Sequence, residues 1–203
     1  MIAEGKIEPI AIYLDAPLAI RVTDVFRAYS SLLKVPVRDM FGEGKDPFTF
    51  DGLHVIHDVA QSEAIHAAPD PKVIIAGAGM SSGGRIRSHE KKYLPDEQAS
   101  VLFVGYQAPG SLGQRIQAGE KQVHIDGDVI EVKATIQSLE GYSGHKDQAG
   151  LLAFVESAGA SLEKVFVAMG EKEVEAKFAQ RIQDTLHIDA HAAEVGEKIE
   201  VDW

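Results

Sequence analysis

The chain has 203 residues, 45% hydrophobic and 25% charged, with 20 Lys+Arg against 31 Asp+Glu and a formal net charge of -11. That much apolar surface offsets chain entropy and excludes chain-wide disorder, while the acidic excess argues against a basic coat for non-specific nucleic-acid or membrane binding. The absence of cysteine excludes disulfides and thiolate metal sites.

The elements alternate from the start. An apolar run at 10–14 predicts a strand, and Asp15 followed by Pro17 predicts a capped helix start. Leu18, Val22, Val25, Phe26, Tyr29, Leu32 and Leu33 then recur at helical spacing. Residues 35–52, with Pro36, Gly42, Gly44, Pro47 and Gly52, read as a break. Beyond it come strand 53–57, helix 59–67, strand 72–76, helix 83–93, strand 100–105 and helix 111–118. Strands as continuously apolar as Val73–Ala76 and Val101–Val104 suit a sheet covered on both faces, and their alternation with helices predicts parallel βαβ units.

The pattern changes near residues 119–123. Residues 122–125 and 129–136 flank Asp126-Gly127-Asp128, a hairpin signal, and Ile130, Val132, Ala134 and Ile136 share one face of the second strand. Helix 146–158, strand 164–168, helix 171–186 and a last strand carrying Ile199, Val201 and Trp203 complete the chain. The predicted class is α/β: a parallel βαβ sheet with helices on both faces, then a C-terminal α/β segment containing an antiparallel hairpin. A domain boundary at 122/123 divides the charge unevenly. Residues 1–122 carry 13 basic and 15 acidic side chains, and residues 123–203 carry 7 and 16.

The sharpest motif is Gly77-Ala-Gly-Met-Ser-Ser-Gly-Gly-Arg85, between an apolar strand and a helix. Glycines admit a ligand close to the backbone, and unpaired N–H groups at a helix start attract anions. Ser81, Ser82, Gly83, Gly84 and Arg85 are therefore candidate phosphate ligands, with Arg87, Lys91 and Lys92 making the helix basic. The loop is neither a P-loop nor a dinucleotide fingerprint. A glycine-dependent turn that binds nothing is the alternative. A second loop, 105–111, joins strand to helix in the same way and can line the same cleft. In Gly141-Tyr-Ser-Gly-His-Lys-Asp147, His145 and Asp147 can form an oriented acid–base pair. Taken alone, those residues fit better as a helix start with Ser143 or Asp147 as cap and His145 exposed. His187 and His191 flank Asp189 in a connection, and no cluster supplies a zinc centre.

Together these stretches resemble the bacterial β-CASP branch of the metallo-β-lactamase-fold RNA-processing nucleases. The likeness is carried by Ile12 to Ala19, Val73 to Arg87, Val101 to Gln107 with Gly110 to Gly113, Gly141 to Gln148 and Val165 to Glu171, in the family's order. It implies zinc-dependent hydrolysis of RNA phosphodiesters by an intact enzyme. It also implies that residues 1–122 are a β-CASP-like RNA-specificity region and residues 123–203 a C-terminal part of the lactamase fold. The family's S-A-H-x-D motif stands here as Ser143-Gly-His-Lys-Asp147, which implies Ser143 at substrate and His145 near the leaving-group oxygen, as catalytic residue. The family's zinc-ligating V-H-G-E histidine is replaced, because this chain reads Ala168-Met-Gly-Glu171. Nor do the 203 residues contain the H-x-H-x-D-H zinc motif.

The expectation is an RNA-binding portion of a zinc-dependent nuclease, cytoplasmic, without membrane association and inactive as this chain alone. No metal ligand is assigned within it. The alternative is a non-catalytic adaptor that pairs with a lactamase-fold subunit; a nucleotide-binding enzyme built on loop 77–85 stands third. The apolar face of residues 129–136 is expected to be uncovered, favouring a lactamase-fold partner or a homodimer.

Overall fold

The computed structural model describes residues 6, 8–139, 141–142 and 144–200. The chain forms two compact units, Met1–Tyr142 and Ser143–Trp203.

The first unit opens with β1 (Ala11–Asp15), α1 (Pro17–Ala28), α2 (Val35–Gly42), β2 (Leu53–Val55), α3 (Val59–Ala64) and β3 (Lys72–Ala76). β1 lies in the middle of a parallel sheet ordered β2-β1-β3, with Ile12 opposite Leu53 on one side and Val73 on the other. The α/β class with parallel sheets is therefore as the sequence predicts. The start of α1 is not. Ala16 is the N-cap and makes no side-chain capping bond, whereas Asp15 ends β1 fully buried. Nor is 35–52 only a break. Pro36 sits in the first turn of α2, where its missing N–H costs no hydrogen bond. The apolar spacing in α1 is helical, yet Leu18, Val22, Val25 and Phe26 remain exposed.

α4 (Ile86–Tyr93), β4 (Ser100–Val104), α5 (Leu112–Gln117), β5 (Gln122–Ile125), β6 (Asp128–Glu131) and β7 (Thr135–Leu139) complete this unit. β5 and β6 form the antiparallel hairpin, whose turn residues Asp126 and Gly127 have φ of 53° and 88°, the left-handed values an Asp-Gly turn supplies. The single strand predicted over 129–136 is in fact two. β6 ends at Glu131, the N–H groups of Lys133 and Ala134 both turn to the Leu94 carbonyl, and β7 then pairs in parallel with β4. Ala134 is buried in a core with Leu94, Phe103, Ile116, Val123 and Ile125, and Ile130, Val132 and Ile136 pack against it. The face expected to be uncovered is thus closed within its own unit. Val129, on the other face of β6, is exposed, as are Val73 and Ile75 on β3 and Leu102 and Val104 on β4.

The second unit contains α6 (Gln148–Ser157), β8 (Lys164–Val167), α7 (Lys172–Leu186) and β9 (Asp189–Ala192). Asp147 caps α6, its carboxylate accepting from the Gly150 N–H at 2.7 Å. The stretch around Asp189, read from sequence as a connection, is β9 and pairs in parallel with β8. His187, at φ 57°, ends α7 and lets the chain turn into that strand. Ala179, Ile182 and Ala190 form the core here. Ile199 lies outside any strand, and the remainder of the predicted last strand, Val201 and Trp203, lies outside the described residues. Among the described residues no helix is long and apolar enough to cross a membrane.

Candidate phosphate-binding loop and its buried support

Because β1 and β3 are parallel neighbours, Asp15 is in register with Ala76, and loop 77–85 leaves β3 beside it. Asp15 is the centre of a buried polar network. One carboxylate oxygen accepts from the Arg85 guanidinium. The other accepts from the Ser62 hydroxyl of α3 and lies 2.8 Å from Nε2 of His89 on α4. Nδ1 of His89 is in turn 3.1 Å from Nε2 of His66. Burial would raise the Asp15 carboxyl, but the hydrogen bonds from Ser62, Arg85 and His89 and the Arg85 charge outweigh it and hold Asp15 below the usual carboxylate range. Burial pushes the His66 imidazole down, and the nearby His89, Lys92 and Lys72 charges add to that.

Arg85 also donates to the Ile56 carbonyl at 3.2 Å and to the His57 carbonyl at 3.1 Å. Two segments around the loop, the end of β1 and the connection after β2, are therefore tied to one side chain. Ser81 points inward as well. It is buried, with φ 56°, and its hydroxyl hydrogen-bonds the buried carboxyl of Glu90. Burial pushes the Glu90 carboxyl up, opposed by the Ser81 hydrogen bond and the Arg87 charge.

The loop backbone closes on itself. Ala78 N–H bonds the Gly83 carbonyl at 3.1 Å, and Ile86 N–H bonds the Gly77 carbonyl at 3.1 Å. Gly84 has φ +75°, and a Cβ there would stand 2.6 Å from the Gly77 oxygen, so only glycine fits. Among the described residues, the N–H groups of Ser82, Gly83, Gly84 and Arg85 donate to no backbone carbonyl. Those N–H groups and the exposed Ser82 side chain make up the part of the loop suited to an anion. A groove of about 460 Å³ runs beside them, lined by Gly83, Gly84, Arg87, Ser88, Lys91 and Asp126.

The second glycine loop meets the first. The Gln107 side-chain amide donates to the Gly79 carbonyl at 2.9 Å, and the Gly113 N–H to the Met80 carbonyl at 3.1 Å. A Cβ at Gly113 would stand 1.9 Å from the Gln107 Oε1, so a larger residue there would displace the Gln107 side chain that joins the two loops.

Of the sequence candidates, Ser81, Ser82, Gly83, Gly84 and Arg85 thus share one loop but divide by direction. Ser81 and the Arg85 side chain build it, while Ser82 is exposed and Gly83 and Gly84 line the groove. His145 is exposed in the second unit, ahead of α6. Ser143 lies outside the described residues. Sequence reasoning missed Asp15, Ser62, His66, His89 and Glu90. The legible signal was a charged residue ending an apolar strand, together with Arg85 and His89 one helical turn apart.

The β-CASP domain family matches residues 1–116, more than half of the chain. The chain belongs to the β-CASP family. A second family, described as the Zn-dependent metallo-hydrolase RNA specificity domain, matches residues 129–193. Ribonuclease TTHA0252 of Thermus thermophilus is 38% identical over 80% of this chain and 37% of its own length. The transcription termination factor FttA of Methanosarcina mazei is 28% identical over 94% of this chain and 31% of its own length, and that of Pyrococcus horikoshii 31% identical over 83% and 27%. The chain thus spans roughly a third of the length of these β-CASP relatives.

The second matching family is described as zinc-dependent, and the V-H-G-E resemblance would put a ligand just after β8, where the residues do not fit zinc. Met169, which stands where the resemblance expects a ligating histidine, is fully exposed and at φ 70°. Its thioether is a poor zinc ligand beside imidazole. The following Gly170 N–H donates to Glu175 at 2.6 Å, so that carboxylate serves the start of α7. Among the described residues no three His, Asp or Glu side chains gather as a metal-holding group.

Proposed function

We propose that this chain is the RNA-holding portion of a zinc-dependent RNA-processing nuclease. Residues 1–122 would be its RNA-specificity region and residues 123–203 a segment of the lactamase fold, both acting in the cytoplasm. The observation that carries this reading is the preformed loop, whose N–H groups at Ser82, Gly83 and Gly84 donate to no backbone carbonyl, with Gly83 and Gly84 lining a groove beside Arg87 and Lys91. Phosphodiester oxygens are the anions that such N–H groups and cations bind without reading bases. The network of Asp15, Arg85, Ser81 and Glu90 keeps the loop in shape before RNA arrives, so little ordering cost falls on binding.

The chain by itself is inactive on this reading, because its 203 residues hold no H-x-H-x-D-H motif, and Met169 stands where the resemblance expects a further zinc ligand. His145 stays the candidate for protonating the leaving oxygen in an assembled enzyme; its exposure leaves it accessible to substrate. Fluorescence anisotropy with labelled single-stranded RNA tests the proposal. Binding should weaken steeply with salt, by several orders of magnitude for extended phosphate contact. Zinc-dependent degradation of that RNA by the pure protein, abolished in His145→Ala, would overturn the inactivity.

A second reading is favoured by the exposed Leu102 and Val104 on β4 and Val73 and Ile75 on β3. It is an adaptor, without chemistry, that covers these residues with a lactamase-fold subunit or a second copy of itself. A monomeric mass by light scattering, with no binding of an apolar dye, would remove it.

A further inference from the structure

The groove beside Gly83 and Gly84 already has a resident anion pair. Arg87 and Lys91 lie one turn apart on α4 and line it. The Arg87 guanidinium meets the Asp126 carboxylate at 2.9 Å, and the Lys91 ammonium meets that of Asp128 at 2.5 Å. Both acids come from the β5–β6 hairpin: Asp126 from its turn, Asp128 from the first residue of β6. Asp126 is half exposed and Asp128 somewhat more so, at 50% and 60%, so water and other anions reach both ion pairs. Ion pairs this open are weak and exchange readily. Ser88 adds an exposed hydroxyl on the same wall, and Arg87 Nε is buried without a hydrogen-bond acceptor.

We propose that Arg87, Ser88 and Lys91 form a further RNA-phosphate subsite, and that Asp126 and Asp128 occupy it in the free protein as an internal mimic of two successive phosphates. This rests on the RNA-holding reading of loop 77–85 and extends it along α4. RNA entering the groove exchanges carboxylates for phosphates on the same two cations. Only these two ion pairs are exchanged, and the hairpin turn does not have to unfold. The acids weaken binding by anions that offer fewer than two phosphates and leave a longer strand able to displace both.

The test compares two charge-matched variants, and one of them again in a background without the two cations, by anisotropy with a short labelled single-stranded RNA, their folds checked by thermal denaturation. Asn keeps the left-handed turn at position 126, so D126N/D128N leaves the hairpin intact. That variant should bind RNA about three- to tenfold tighter than wild type. D51N/E97Q, which removes the same charge from exposed positions outside the groove lining, should change affinity less than about twofold. In an R87Q/K91Q background, D126N/D128N should have no effect, since the acids then have nothing to release. Equal tightening by D51N/E97Q, or none by D126N/D128N while wild type binds RNA, overturns the subsite and leaves the RNA-holding reading standing. Absence of binding by every variant overturns both.

Discussion

Two polar loops in this chain match motifs of one family, and they are built in opposite ways. Loop 77–85 is wired into its own unit: Ser81 is buried on Glu90, Arg85 is tied to Asp15 and to two carbonyls, and Gly84 is pressed against a carbonyl oxygen. The stretch before α6 is exposed at His145, and Asp147 caps α6 through the Gly150 N–H. The difference separates a side chain that shapes a site from one that would act in it. Substitution should therefore cost most stability at the first loop and little at the exposed His145 of the second.

The largest expected effect is at Arg85. Arg85→Ala leaves the fully buried Asp15 carboxylate without its cation and should cost about 3–5 kcal/mol in urea denaturation. A loss under about 1 kcal/mol would place the support of the loop elsewhere.

The same network gives an acid dependence whose sign follows from Asp15. Its folded value lies below the ordinary 3.8, so its contribution is complete above that value and is lost as pH falls through the lower, folded one. Glu90 acts in reverse. Its raised value means the folded state holds a proton longer, so stability declines as pH rises above the ordinary 4.5. Glu90→Gln should remove that decline while keeping an acceptor for Ser81; a wild-type and variant pair with parallel stability–pH curves in this range would contradict the assignment.

Gly84→Ala combines a positive φ with the contact on Gly77, and should cost more than about 1 kcal/mol. Crystallography of that variant should show the loop displaced; an unmoved loop at full stability would mean the backbone tolerates a Cβ there.

Asp147→Ala removes a cap and should cost about 1 kcal/mol. His145→Ala closes the series, with a change within about 0.5 kcal/mol. If calorimetry instead shows His145→Ala to be as costly as Arg85→Ala, the contrast between the two loops fails.

Much of this was legible in the residues, for reasons that differ by element. Apolar runs such as Val73–Ala76 and Val101–Val104 became β3 and β4, because a run of that length between polar turns has few other homes. Asp126-Gly127 became the hairpin turn because few residue pairs accept two successive positive φ values. The pattern failed where long-range partners overruled local preference. Asp15 had the chemistry of a helix cap, and only the arrival of Arg85, Ser62 and His89 made burying it at the end of β1 the better solution. The predicted strand over 129–136 broke in two because Lys133 and Ala134 found the Leu94 carbonyl, a partner nearly forty residues upstream.

The sequence by itself determined the α/β class, the glycine loop and its family, since strand period, turn chemistry and motif order are local properties of the chain. Only the tertiary structure decided what each polar side chain does. Burial and partners came from distant segments: they turned Ser81 and Arg85 inward as supports, left Ser82 exposed and Gly83 and Gly84 lining the groove, and set two hairpin carboxylates on the cations of α4.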